Sequence, residues 1–151
     1  MPRISPEARR LDDAHTCRAK LRAGSRSFFA ASLLLPRAIR QPASALYAFC
    51  READDAVDVD AGGFAAVDRL RVKLDRVYAG RPHSHASERA FADVVDQFEI
   101  PRQLPEALIE GLAWDAERRR YASLEQLTAY GARVAGTVGV MMALIMEVRD
   151  A

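Results

Sequence analysis

What is scarce in this 151-residue sequence narrows its class before any motif is read. Cysteine is nearly absent. Cys17 and Cys50 are the only two, and they form neither a metal-ligand spacing nor a disulfide framework. A reduced, cytoplasmic compartment is the simplest expectation. Net charge is also lacking: Lys and Arg exceed Asp and Glu by one, which excludes a general basic field for nucleic acid and an acidic tail. The N-terminal "MPRISPEARRLDDAHT" has no apolar stretch and does not read as a secretory signal. No run reaches the ~20 apolar residues of a membrane span. The most apolar stretch, "VAGTVGVMMALIMEV" at 134 to 148, is shorter and is expected to be a core helix.

Convincing strand alternation is missing too, and almost every segment carries the helical period. Val67, Leu70, Leu74, Val77 and Tyr78 make one apolar stripe; Phe91, Val94, Val95 and Phe98 make a second, and Leu104, Leu108, Ile109 and Leu112 a third. Breaks are expected at "LLLPR" (33 to 37), "DAGG" (60 to 63), "AGRPHSH" (79 to 85) and "IPRQLP" (100 to 105). Ser123 with Gln126 reads as a capping box opening the last helix. Pro42 either starts or kinks the helix that carries the acids. With half the residues hydrophobic and no linker or repeat, the expectation is an all-α bundle of about six helices in a single domain over 1 to 151.

Against this background "CREADDAVDVDAGG", residues 50 to 63, stands out. On a helix, Asp54 and Asp58 lie one turn apart with Asp55 beside them, and Arg51 is within reach of Asp54 and Asp55. Like charges at that spacing repel, aspartate is a poor interior helix former, and a helix C-terminus disfavours anions. A hard divalent cation such as Mg²⁺, held by one or two carboxylates and a substrate phosphate, would reverse all three terms. A wet, acidic helix end is the plainer reading. In "GSRSFFAASLLLP", residues 24 to 36, Ser25, Arg26 and Ser27 offer phosphate donors before Phe28 and Phe29. The plainer reading makes Ser25 a helix cap and the phenylalanines core. In the third stretch, "GLAWDAERRRYASLEQLTAYGARVAGTVGVMMALIM", Gly136 and Gly139 interrupt an apolar helix. They serve either close packing or room for a long apolar ligand. Asp115 and Arg118 to Arg120 could add charge near a phosphate, although an arginine run is usually a solvated face.

These three stretches, in this order, resemble the signatures of the squalene/phytoene synthase family, and in detail its bacterial phytoene synthases. The resemblance runs from about Cys17 onward. It implies an all-α fold of the isoprenoid synthase type, of which this chain would be the N-terminal half. It implies head-to-head condensation of two geranylgeranyl diphosphates to phytoene, through a cyclopropyl intermediate, in carotenoid biosynthesis. Mg²⁺ is the implied cofactor, with Mn²⁺ as its substitute. By resemblance Asp54 and Asp58 hold metal and, with Tyr130, are catalytic. Arg51, Asp55, Ser25 and Ser27 would hold diphosphate, and Phe28, Val134, Gly136 and Gly139 would wall the prenyl channel. Family members carry a second aspartate-rich motif, and no second D-x-x-x-D occurs here. Three alternatives follow: a chain that binds prenyl diphosphate without turnover, a partner chain that supplies the other half, or a squalene-type enzyme using farnesyl diphosphate. A peripheral membrane contact is left open by the apolar product.

Overall fold

A computed structural model describes residues 5–59, 63–82 and 84–148, and these are helical with no strand among them. The order is α1 (Pro6–Gly24), α2 (Arg26–Ser32), α3 (Arg37–Val59), α4 (Gly63–Tyr78), α5 (Ala86–Phe98), α6 (Gln103–Ala116), α7 (Leu124–Gly131), a π-helical turn (Ala132–Gly136) and α8 (Thr137–Ile145). The all-α expectation holds. The breaks fall near "LLLPR" and "AGRPHSH", and α6 begins inside "IPRQLP". The "DAGG" break lies largely outside the described residues. Ser123 caps α7 by accepting the Gln126 N–H, while Gln126 Oε1 accepts the N–H of Ala122. The box closes one residue earlier than its simplest form.

Each apolar stripe supplies the core through its inward positions. Val67, Leu70, Leu74 and Val77 of α4 are buried, as are Phe91 and Val94 of α5 and Leu108, Ile109 and Leu112 of α6. α3 crosses the middle, where Phe49 stacks on Phe91 of α5 at a centroid distance of 4.0 Å. Pro42 does not start its helix, which begins at Arg37, but sits buried inside it.

Polar bonds tie α1, α3 and α5 on the side away from the aspartates. Arg89 of α5 holds Asp13 of α1 in a bidentate pair, Nε and one terminal nitrogen donating to the two carboxylate oxygens at 2.8 and 2.5 Å. Glu52 of α3 accepts from Ser87 of α5 and pairs with Lys20 of α1.

The apolar stretch at 134 to 148 departs from expectation. It belongs to one helical run, Leu124–Ile145, that is long and apolar enough by length and composition to cross a membrane. It is not a core helix, since only 17% of its most apolar window is buried. Thr137, Met141 and Ile145, spaced four apart, are its buried residues, and Val138, Met142 and Leu144 pack half-buried beside them, while Leu124, Leu127 and Val140 face outward.

Candidate functional site

The site begins with the angular order of side chains on α3. At about 100° per residue, Tyr47, Arg51, Asp54, Asp55 and Asp58 share one arc of the helix, and Glu52 points away from it. The five-acid cluster of the sequence therefore divides. Glu52 joins the clamp described above, Asp60 lies outside the described residues, and Asp54, Asp55 and Asp58 remain together. Arg51 spends its guanidinium on Asp55, with contacts of 2.9 and 3.2 Å, and reaches Asp54 only at 4.0 Å. Asp58 has no ion pair among the described residues.

The consequence is electrostatic. Burial raises the pKa of the Asp54 carboxyl above the usual carboxylate range, and Asp58 adds to the rise; Arg51 opposes it, while Asp55 and Asp115 contribute further. A carboxylate pair one turn apart, short of positive charge, fits the donor set of a hard divalent cation that also takes substrate oxygens. Among the described residues there is no group of three or more His, Cys, Asp or Glu placed to hold a metal. Asp54 and Asp58 thus provide a two-carboxylate edge.

The serine segment sits at the N-terminal end of the same arc. A β-carbon on Gly24 would lie 2.4 Å from the Tyr47 hydroxyl oxygen, so the α1–α2 junction rests on Tyr47. Phe28 meets the Tyr47 ring edge-on at 6.2 Å. Ser25 does cap α2, accepting the Phe28 N–H at 3.3 Å, and its hydroxyl is 3.3 Å from that of Ser27. Phe28 is not core: it is 64% exposed.

Tyr130 approaches from the other side. Its hydroxyl donates to Asp115 Oδ2 at 2.9 Å, and its ring lies 5.1 Å from that of Tyr121. Burial, the Asp115 bond and the Asp115 charge push its pKa up to about 12, and Tyr121 and Asp54 contribute. Asp54, Asp115, Tyr121 and Tyr130 therefore form one electrostatic neighbourhood. With its proton committed to Asp115, the Tyr130 oxygen has only lone pairs left to offer. Trp114, one residue before Asp115, is stacked by the Arg119 and Arg133 guanidiniums, 4.3 and 4.4 Å from its ring centroid. Arg118 to Arg120 are all exposed, as a solvated face would be, and Arg119 in addition stacks on Trp114.

Val134 and Gly136 lie in the π-helical turn and Gly139 in α8. Single π-turns inside α-helices often mark functional sites. A β-carbon on Gly139 would meet nothing within 4 Å, and one on Gly136 only ordinary contacts at 3.9 Å. Neither glycine serves close packing among the described residues. Close packing falls instead to Gly111, where a β-carbon would come 2.7 Å from Val134 Cγ1. Val134 accordingly packs onto α6 as well as facing its own turn.

The sequence model of the squalene/phytoene synthase family matches residues 21–151. The chain belongs to the squalene/phytoene synthase family. A phytoene synthase of Rhodobacter capsulatus is 55% identical over 142 residues, covering 91% of this chain and 42% of that protein. One from Cereibacter sphaeroides is 54% identical over 148 residues, with the same coverage. Among solved structures, a dehydrosqualene synthase in complex with ligand superimposes with a TM-score of 0.85 at 29% identity, covering 93% of this chain and 50% of that one. A squalene synthase from Alicyclobacillus acidocaldarius gives 0.86 at 30% identity, covering 97% and 55%. The chain spans less than half the length of the curated relatives it matches, and about half of each solved structure.

Sequence reading missed two participants. Tyr47 was hidden in the apolar run "PASALYAFC", although its i, i+4 relation to Arg51 was available. Tyr121 follows the arginine run directly and gave no separate signal.

Proposed function

We propose that this chain supplies one wall of a phytoene-synthase-type active site, which joins two geranylgeranyl diphosphates head to head. The observation that carries the reading is the arc of α3, where Asp54 and Asp58 stand one turn apart, Asp58 with no ion pair among the described residues and Asp54 with only the 4.0 Å contact to Arg51, in the electrostatic neighbourhood of the Tyr130–Asp115 pair. Asp54 and Asp58 would hold Mg²⁺, with Mn²⁺ as the alternative ion. When bound, the ion supplies Lewis-acid assistance to the departing pyrophosphate and neutralises its charge. Arg51, Ser25 and Ser27 bind diphosphate oxygens; for Arg51 this requires exchanging part of its contact with Asp55 for phosphate. Tyr130 turns oxygen lone pairs and a ring face toward the carbon that becomes electron-poor, and Asp115 keeps its hydroxyl proton turned away. Phe28, exposed beside Tyr47, and the side-chain-free surface at Gly136 and Gly139 give the prenyl chain an apolar bed and exclude water from it. A second diphosphate needs ligands beyond the single D-x-x-x-D of these 151 residues. The 54–55% identity to phytoene synthases, against 29–30% to the squalene-type structures, favours the C20 substrate over farnesyl diphosphate.

Titration calorimetry of the chain with geranylgeranyl diphosphate tests the reading. Binding is expected with Mg²⁺ and is lost with EDTA. Asp54→Asn combined with Asp58→Asn is expected to weaken it at least tenfold, about 1.4 kcal/mol or more. Affinity indifferent to both the metal and the substitutions overturns the proposal.

A further inference from the structure

The outward side of the run from α7 to α8 is apolar, and the proposed site uses only part of it. Of the eleven large hydrophobic side chains exposed among the described residues, five lie between Leu124 and Val148. Exposed apolar area is thus concentrated on one helical run, Leu124–Ile145, about 33 Å long. Leu124 is 79% exposed and Val140 49%. A continuous apolar face of this kind marks a contact with another macromolecule.

The charges along the run say what fits it. From Gln126 to Met146 the only charged residue is Arg133. Its guanidinium is turned back onto its own chain, 4.4 Å from the Trp114 ring centroid and donating to Glu110 and the Ala129 carbonyl at 3.0 and 2.9 Å. When two copies of a chain meet, each residue near the twofold axis faces its own counterpart, and a charge there repels itself. This face presents no such charge. The aspartate arc borders the run, because Asp54 acts on Tyr130 and Asp115 acts on Asp54. Helix dipoles favour antiparallel pairing of two such runs. The twofold axis then lies across the helices, and both arcs fall on the same side of the joint, opposite each other. Parallel pairing would leave them on opposite sides.

We propose that a second copy of this chain docks antiparallel on the α7–α8 face, and that its Asp54 and Asp58 supply the facing carboxylate edge, so that a cation-bound diphosphate is held between two copies. The inference rests on the metal and diphosphate reading of Asp54 and Asp58 given above. These 151 residues contain a single D-x-x-x-D, and twofold symmetry doubles it. A partner of another sequence would account for the apolar face but not for a second carboxylate edge. Contact through Leu124, Leu127 and Val140 leaves a hollow over Gly136 and Gly139, which carry no side chains, and so encloses the proposed prenyl bed. One helix pair, ~10 Å wide, is smaller than a standard interface of ~800 Å² per partner, so the dimer is concentration-dependent. The two acidic edges repel each other until a cation and diphosphate bridge them. A ligand that binds only the paired state tightens the pairing by mass action.

Sedimentation equilibrium of the full chain tests it, first in EDTA and then in Mg²⁺ with inorganic pyrophosphate. A monomer–dimer equilibrium is expected in EDTA, and its dissociation constant should fall about tenfold or more with the two additions. Leu127→Glu with Val140→Glu sets like charges against their counterparts and should leave the chain monomeric, with a circular dichroism spectrum equal to that of the parent verifying the fold. Asp54→Asn with Asp58→Asn should dimerise in EDTA at least as well as the parent and lose the gain from Mg²⁺ and pyrophosphate. Leu34→Glu, in the exposed α2–α3 turn, is the control and should leave association unchanged. A chain that is monomeric in both conditions overturns the inference. So does a dimer that survives the paired glutamates or is lost in Leu34→Glu, a pyrophosphate gain kept by the Asn variant, or a monomer that instead enters phosphatidylcholine vesicles through the α7–α8 face. A monomer that still binds geranylgeranyl diphosphate with Mg²⁺ in the calorimeter removes this inference alone and leaves the proposed function standing.

Discussion

Glu52 and Asp54 are two residues apart on one helix and have opposite fates. Glu52 turns toward α1 and α5, where Lys20 and Ser87 satisfy it. Asp54 turns to the open side, where its nearest charges are mostly of its own sign and its pKa is driven up by burial and by Asp58. Half a helical turn separates an acid that holds the fold together from an acid that strains it. A charge that has its partner already is part of the architecture. One that lacks it, in company with another, is waiting for a ligand.

The largest effect that would break this comparison is a loss of stability from removing the unsatisfied acids. Asp54→Asn with Asp58→Asn should abolish Mg²⁺-dependent binding while leaving the melting temperature unchanged or about one to two degrees higher, since repulsion of ~0.2–0.5 kcal/mol is relieved. The pH dependence has a definite sign. A carboxyl whose folded pKa is raised favours the fold below the ordinary carboxylate range, and that contribution disappears as pH rises through the raised value. The Asn variant should therefore gain most, relative to the parent, at neutral pH. Differential scanning calorimetry at pH 4 and pH 7 is the check, and destabilisation at neutral pH would sink the reading.

The converse substitution sharpens the contrast. Glu52→Ala leaves the Ser87 hydroxyl and the Lys20 ammonium without their partner and should cost about 1–3 kcal/mol. Mg²⁺-dependent binding per folded molecule should be untouched. Gly111→Ala belongs to the same class, because its β-carbon would meet Val134 Cγ1 at 2.7 Å and Arg133 Cβ at 2.9 Å. Overpacking of this kind costs about 1–3 kcal/mol. Urea unfolding measures both, and an unchanged midpoint in either would remove it from the architectural side.

A smaller effect separates Asp115 from the metal carboxylates. If Asp115 positions Tyr130, then Asp115→Asn should lower the Tyr130 titration midpoint from about 12 part of the way toward the ordinary value near 10, burial remaining as the first cause of the rise. Ultraviolet difference spectra at 295 nm report it, with Tyr130→Phe assigning the signal. Mg²⁺ affinity should stay within a few-fold of the parent chain. A tenfold loss of Mg²⁺ affinity would instead tie Asp115 to the metal site, directly or through a ligand it orients.

Helices and their inward stripes were legible from the sequence because periodicity is a local property, and α4, α5 and α6 bury the stripe positions that it marks. The acid pair was legible for the same reason. The Tyr130–Asp115 bond was not, because it spans 15 residues and depends on the chain turning at Arg118, whose φ of 51° is left-handed. Nor was the exposure of the helical run from Leu124 to Ile145. Its composition is that of a core helix, and composition cannot tell which neighbours are present to cover it.

The smallest effect concerns that same run. Gly136 closes the π-helical turn and Gly139 lies in α8, where a β-carbon would meet nothing within 4 Å. Alanine in place of an unconstrained helical glycine stabilises by up to about 1 kcal/mol. Gly139→Ala should therefore raise the unfolding midpoint slightly, the reverse of Gly111→Ala. A stabilising substitution that the natural sequence does not use points to a requirement outside stability. In the proposed reading that requirement is room for a prenyl chain, so Gly139→Ala should weaken geranylgeranyl diphosphate binding while stabilising the fold. Gly139→Leu should exaggerate the loss of binding at little cost in stability. If both variants bind as the parent does, the bare helical surface at Gly139 has no part in the ligand's bed, and the site contracts to the carboxylates and the Tyr130–Asp115 pair.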